Sequence, residues 1–165
     1  MKKVIVLMGV AGSGKTHLGK KISDEMKTFT FIDSDDYHSN ESKKKMRLGT
    51  SISENHRIKW LVKICNTMNH LNNDYIILAC SALKAKHRSL LKQRGSFLQF
   101  IFLKNSFEVV RMRLKKRKNH FFNPILLKKQ FKLLEAPKNT LRISPSWPEK
   151  QVISFILKHI YRTYY

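Results

Sequence analysis

Short apolar runs alternate with longer amphipathic stretches along the whole chain. VIVLM (4–8) is a continuous apolar run, which marks a strand buried on both faces. Helical periodicity follows from Lys15 to about Met26. FTFI (29–32), YIILA (75–79) and FLQFIFL (97–103) repeat the strand signal, and LRIS (141–144) predicts a short fifth strand. Polar sequence and short helices fill 36–52, and Ser53 caps a helix reaching about Leu71. A basic helix covers 84–94, and Ser106 caps another to about Lys118. Asn123 and Pro124 read as N-cap and first residue of a helix to about Leu134, and Pro148 opens the last, over 148–162. Strands alternating with helices predict an α/β fold, a parallel sheet with helices on both faces. No repeat or linker interrupts the pattern, so residues 1–165 read as one domain.

Composition changes this picture little. Apolar residues make up 42% of the chain, ordinary for a packed core, and no apolar run is long enough to span a membrane. The N-terminal lysines and apolar stretch faintly mimic a signal peptide, but the run leads straight into a glycine loop and reads as a strand. Two cysteines, Cys65 and Cys80, make no disulfide framework, so the cytoplasm is the expected compartment. The net charge is +22, with lysine far ahead of arginine and asparagine abundant. Compositional drift explains that excess, since the basic residues are spread along the chain. It supports non-specific phosphate attraction and favours a small anionic substrate, without implying a specific nucleic-acid partner.

The strongest motif is GVAGSGKT, Gly9 to Thr16, which fits G-x-x-x-x-G-K-[ST] at every fixed position between a strand and a helix. The glycines let backbone N–H groups wrap a phosphate, and the helix start adds partial positive charge. Lys15 is expected to reach the β- and γ-phosphates and Thr16 to hold Mg²⁺. The loop implies a nucleotide without naming a reaction.

FIDSDDYH (31–38) concentrates three of only 11 acidic residues at the C-terminal end of the second strand. Ligands of open parallel sheets bind beyond that edge, where the phosphate loop also lies. A spacing of two puts Asp33 and Asp35 on one side while the chain stays extended. Phosphoryl transfer needs a support for Mg²⁺ and a group to orient the attacking hydroxyl, and a D-x-D supplies both. The third strand ends in LACSALK, with no acid to compete. Asp36 faces the other way. The alternative is that these aspartates only form a turn or helix cap.

With these pieces in hand, the chain resembles the gluconokinase family of P-loop small-molecule kinases. The matching segments are MGVAGSGKT (8–16), DSDDYH (33–38), KMRLG (45–49), RIKWL (57–61), CSALKAKHR (80–88), RLKKRKNHFF (113–122) and LLKKQFKLLEAP (126–137), in family order over nearly the whole chain. The resemblance implies a nucleoside-monophosphate-kinase-like sheet of order 2-3-1-4-5 with a lid at about 113–135. It implies ATP and Mg²⁺ as cofactors and D-gluconate as acceptor. It also implies a homodimer, for which the chain itself carries no interface signal. Carried over by residue, Gly9, Gly12, Ser13, Gly14, Lys15 and Thr16 hold the ATP phosphates and metal, Asp33 supports the metal, and Asp35 takes the acceptor hydroxyl. Arg57 grips the acceptor carboxylate, a task suited to a guanidinium fork. Ser81, Lys84, His38 and His120 line the acceptor pocket. Arg113 and Arg117, four apart on one helix face, neutralise the transferring phosphoryl group.

The chain departs from the family pattern at Ser39, Ser51 and Lys59, where prolines are usual, at Glu54 to His56, where aspartates cluster, and at His87, where tyrosine is usual. None of these is a group assigned to chemistry. The alternatives are a shikimate-kinase-like enzyme, against which CSALK replaces a glycine-rich turn, and a degenerate basic P-loop domain binding nucleic acid, against which Lys15, Thr16, Asp33 and Asp35 are all intact.

Overall fold

The structure, a computed structural model, describes residues 1–92, 96–118, 120–144 and 147–164. Five strands, β1 (Lys3–Met8), β2 (Thr30–Asp33), β3 (Tyr75–Ala79), β4 (Phe97–Leu103) and β5 (Leu141–Ile143), form one parallel sheet in the order β2-β3-β1-β4-β5. The helices are α1 (Lys15–Glu25), α2 (Asn40–Arg47), α3 (Glu54–His70), α4 (Ala85–Lys92), α5 (Phe107–Lys116), α6 (Leu127–Leu133) and α7 (Glu149–Tyr164). Short 3-10 turns at Ser34–Tyr37 and Pro124–Leu126 precede α2 and α6. The expected order of strands and their parallel pairing therefore hold. The end of the expected 84–94 helix falls outside the described residues.

The apolar run of β1 explains the layering. Val4, Val6 and Met8 pack into a core with Trp60, Leu61 and Ile64 of α3, while Ile5 and Leu7 point into a second core with Ile22 of α1 and Ile156 of α7. Alternation along one strand thus feeds both layers. Each fully buried Leu or Ile contributes about 1.5–3 kcal/mol. A third cluster joins Val10 of the phosphate loop to Met46, Ile52, Leu83, Leu114, Phe122 and Leu127. It ties the Gly9–Thr16 loop to α2, α5 and α6 and to the turns beside them.

Serine caps start three helices: Ser39 accepts from the Ser42 N–H, Ser53 from His56 and Ser106 from Val109. Ser39, a departure from the family proline, thereby keeps α2 well started. Asn123 accepts from the Ile125 N–H ahead of Pro124, as its sequence position predicts. No helix among the described residues is long and apolar enough to cross a membrane.

Candidate active site

The Gly9–Thr16 loop turns from β1 into α1 at the carboxyl edge of the sheet. Gly12 (φ 76) and Gly14 (φ 98) are left-handed, a conformation that costs any other residue strain. A side chain at Gly12 would also meet Leu114 at 3.0 Å. The Lys15 ammonium curls back over the loop and donates to Gly9 O at 3.1 Å and Val10 O at 2.9 Å. Burial lowers its pKa, against the raising effect of Asp35, Cys80 and Asp33. The Ser13 hydroxyl is buried without a partner in the protein.

Asp33 ends β2. Its Oδ2 accepts from Thr16 Oγ1 at 2.6 Å, and its Oδ1 accepts from the Asp35 N–H at 3.0 Å. The chain does not stay extended here, as the period-two reading assumed. Asp33 caps the 3-10 turn, and the turn, not the strand pleat, lifts Asp35 toward Lys15. The cap reading and the site reading are both true of Asp33. Confinement raises the Asp35 carboxyl above its usual range, partly offset by the Lys15 charge. Asp36 is exposed, as expected.

A cleft of about 480 Å³ opens beside the loop and is lined by Gly12, Gly14, Lys15, Thr16, Asp35, His38, Arg57, Ser81, Arg113, Arg117 and His120. Most residues singled out in the sequence thus meet in one cavity, though they come from six separate segments. Arg57 stands one turn into α3; burial lowers its pKa while Glu54 raises it. His38 is buried and stacks on Trp60 with ring centroids 4.4 Å apart, and burial holds its pKa down at about 4, so it is a neutral wall of the cleft. His120 accepts from the Phe122 N–H through Nδ1 at 3.0 Å and brings Nε2 to 3.8 Å from Asp35 Oδ2. Burial, with Arg117 adding to it, keeps its pKa near 4 as well. Cys80 is fully buried, and burial pushes its thiol up to about 12.

Lys84 departs from expectation. It is not among the cleft-lining residues but lies 3.5 Å from Glu54. Glu54 also binds Lys86 at 3.0 Å and His87 at 2.7 Å. Burial would raise this carboxyl, but the His87 and Lys86 hydrogen bonds hold it down at about 2. His87, another departure from the family, is therefore a partner for the one remaining acid of that stretch. Arg117 also differs slightly: α5 ends at Lys116, so Arg117 is its C-cap residue, yet it still lines the cleft beside Arg113.

Several groups went unread in the sequence. Ala82 has φ 40, a strained value for a residue with a side chain, and the Arg88 guanidinium donates to Ala82 O at 2.9 Å and Leu83 O at 3.0 Å. This clamp shapes the turn that carries Ser81. A second cavity of about 360 Å³ adjoins the phosphate loop and is lined by Gly12, Asn105, Arg113, Ser144 and Trp147 among others. Asn105 accepts from Arg113 Nη1 at 2.9 Å. Only spatial neighbours could have revealed Asn105 and Trp147, since neither belongs to a motif.

A phosphate-loop sequence between strand and helix, a carboxylate pair at the next strand edge and a cation-lined cleft on this sheet define a P-loop small-molecule kinase. The shikimate kinase family model matches residues 11–144. The chain is 40% identical over 145 residues to the probable gluconokinase of Dictyostelium discoideum, covering 82% of this chain and 72% of that one. It is 33% identical over 175 residues to a gluconokinase of Arabidopsis thaliana, covering 96% and 92%. The crystal structure of a gluconokinase from Sinorhizobium meliloti 1021 superposes with a TM-score of 0.81 at 28% identity, over 99% of this chain and 98% of that chain. The chain belongs to the gluconokinase family of P-loop kinases.

Proposed function

We propose that the protein transfers the γ-phosphoryl group of ATP to a hydroxyl of D-gluconate, giving 6-phospho-D-gluconate and ADP. The observation that carries this reading is the convergence of Lys15, Asp35 and Arg57 on one cleft beside a complete phosphate loop. Asp35 accepts the proton of the attacking hydroxyl, whose oxygen bonds to the γ-phosphorus as the bond to the ADP oxygen breaks. Burial raises its carboxyl, which makes it a stronger proton acceptor than a free aspartate. Lys15, Arg113 and Arg117 balance the charge that builds on the transferring group. Arg57 holds the carboxylate of the acceptor, and Ser81, His38 and His120 shape the wall around its hydroxyls. N–H groups of the Gly9–Thr16 loop other than that of Ala11, which Gln130 engages, hold the phosphates, and the cavity beside Trp147 takes the nucleoside.

The donor set fits Mg²⁺. A hydroxyl and a carboxylate oxygen, Thr16 Oγ1 and Asp33 Oδ2, sit 2.6 Å apart. Among the described residues no group of three or more His, Cys, Asp or Glu could enclose a metal. Magnesium prefers this economy of oxygen ligands, completing its shell with phosphate and water. When bound, it neutralises β- and γ-phosphate charge.

The whole chain acts as one domain in the cytoplasm, with residues from about 113 to 135 as the lid over the cleft. Purified protein should be offered ATP and a panel of acceptors: gluconate, other sugar acids, shikimate and glucose. Gluconate should drive ADP release fastest. A preference for shikimate, or no acceptor-dependent release, would overturn the assignment.

A further inference from the structure

The phosphate loop and α6 meet at one side chain. Gln130 Oε1 accepts a hydrogen bond from the Ala11 N–H at 2.7 Å, across 119 positions of sequence. The partner is a donor, so the amide oxygen, not the NH₂, must face it. Ala11 N and Val10 C=O belong to the same planar peptide unit. The other end of that unit, Val10 O, accepts from Lys15 Nζ at 2.9 Å and from the Ser13 N–H at 3.2 Å. One peptide plane is therefore held by Gln130 at its nitrogen and holds the Lys15 ammonium at its oxygen. Gly9 and Gly12 flank this stretch, so the chain on either side resists a tilt only weakly. Tilting the plane away from Gln130 would carry Val10 O away from Nζ. Backbone bonds tie down both flanks of α6, the helix that carries Gln130. The Asn123 N–H donates to Met46 O at 3.3 Å ahead of α6, and the Glu135 N–H donates to Leu83 O at 3.0 Å behind it.

We propose that Gln130 is a positioning residue for Lys15: it fixes the Val10–Ala11 peptide and thereby sets where the ammonium stands when phosphates enter the loop. This rests on the reading of Lys15 as a phosphate-binding group. It also gives α6 a role beyond covering the cleft. Because α6 is tied to Leu83 beside the acceptor-side turn, the seating of the helix is relayed to the nucleotide side through one amide.

The test is a double-substitution cycle read by equilibrium titration with a non-hydrolysable β,γ-imido analogue of ATP, without any acceptor. Gln130→Met keeps the length of the side chain and removes the acceptor oxygen. With Lys15 present it should weaken the analogue by roughly 3- to 10-fold, the range of one lost net hydrogen bond. In the Lys15→Met background the same change should cost less than about twofold, because the group being positioned is gone. An equal loss in both backgrounds, or no loss with Lys15 present, overturns the proposal while leaving the phosphate-loop reading intact. If Lys15→Met alone leaves affinity unchanged, the phosphate-loop reading falls and takes this proposal with it. Should Gln130→Met fail to fold, Gln130→Ala, which also lacks the acceptor, enters the same cycle.

Discussion

On the proposed assignment of residues, the nucleotide side and the acceptor side of the cleft are built in different ways. The phosphate-binding part of the nucleotide side is nearly local: eight consecutive residues, Gly9 to Thr16, supply the loop, and Asp33 from the strand beyond β3 joins it through Thr16. The acceptor side has no such unit. Asp35 comes from a 3-10 turn, Arg57 from α3, Ser81 from the turn after β3, and Arg117 and His120 from the end of α5 and beyond. The departures from the family pattern all fall between Ser39 and His87, outside the phosphate loop. Backbone N–H groups recognise phosphate, so that task tolerates only glycine-rich geometry. Side chains recognise a polyol acid, and their supports can be exchanged. Ser39 replaces a proline as a helix cap, and His87 becomes a partner of Glu54.

Substitutions can break this contrast. The largest effect is expected from Asp35→Asn, which keeps the shape but removes the proton acceptor. Turnover should fall by roughly 10²- to 10⁴-fold while ATP affinity stays nearly constant. Collapse of ATP affinity with high residual turnover would instead assign Asp35 to the metal and Asp33 to the acceptor. Lys15→Ala should cost about 10²- to 10³-fold in kcat with thermal stability retained, as for a lost transition-state charge contact. Near-normal kcat would remove Lys15 from the chemistry.

The acceptor side should answer unevenly. Arg57→Ala should raise the gluconate KM by roughly 10- to 100-fold, matching a charge-assisted contact of about 1.5–3 kcal/mol, with the ATP KM little changed. Lys84→Ala should change the same KM by less than about threefold, since Lys84 pairs with Glu54 outside the cleft lining. Steady-state kinetics on both variants separates them, and a larger effect from Lys84 would exchange their roles.

The smallest expected effect is on stability. His38 and His120 keep folded pKa values of about 4, below the ordinary 6.5, because burial disfavours their charged forms. Between those values the unfolded chain binds protons that the folded one refuses, so stability is fully present above about 6.5 and is lost as pH falls toward 4. Glu54, held at about 2, extends the loss below its ordinary 4.5. Thermal melts should be flat from pH 7 to 8 and decline below 6.5; a melting point that rises on acidification would contradict the burial of these imidazoles.

The same contrast governs what could be read from the sequence. The apolar runs placed the strands to within a residue or two, and the cap residues Ser53, Ser106 and Asn123 were legible because capping is a local hydrogen bond. The phosphate loop was legible for the same reason. Lys84 was misplaced because its partner, Glu54, lies 30 positions away, and no periodicity reports such a pair. The conformation of Asp35 was misread because an extended chain and a 3-10 turn both bring D-x-D residues together. Asn105, Trp147, Gln130 and the Arg88 clamp on Ala82 arise only when distant segments pack.

The central claim is that the acceptor is chosen by its carboxylate, and the ratio of kcat/KM for gluconate to that for glucose in the unmodified protein measures this most directly. The two differ at C1, carboxylate against aldehyde or ring hemiacetal, so the ratio reads what the Arg57 side of the cleft recognises. A preference for the acid of roughly 10-fold or more is predicted, the equivalent of one charge-assisted contact, and it should shrink only in part with added salt because Arg57 is half-buried in the cleft wall. Comparable use of glucose would show that the carboxylate is not recognised, and a preference that vanishes at high ionic strength would trace it to the diffuse +22 charge and not to a built carboxylate site.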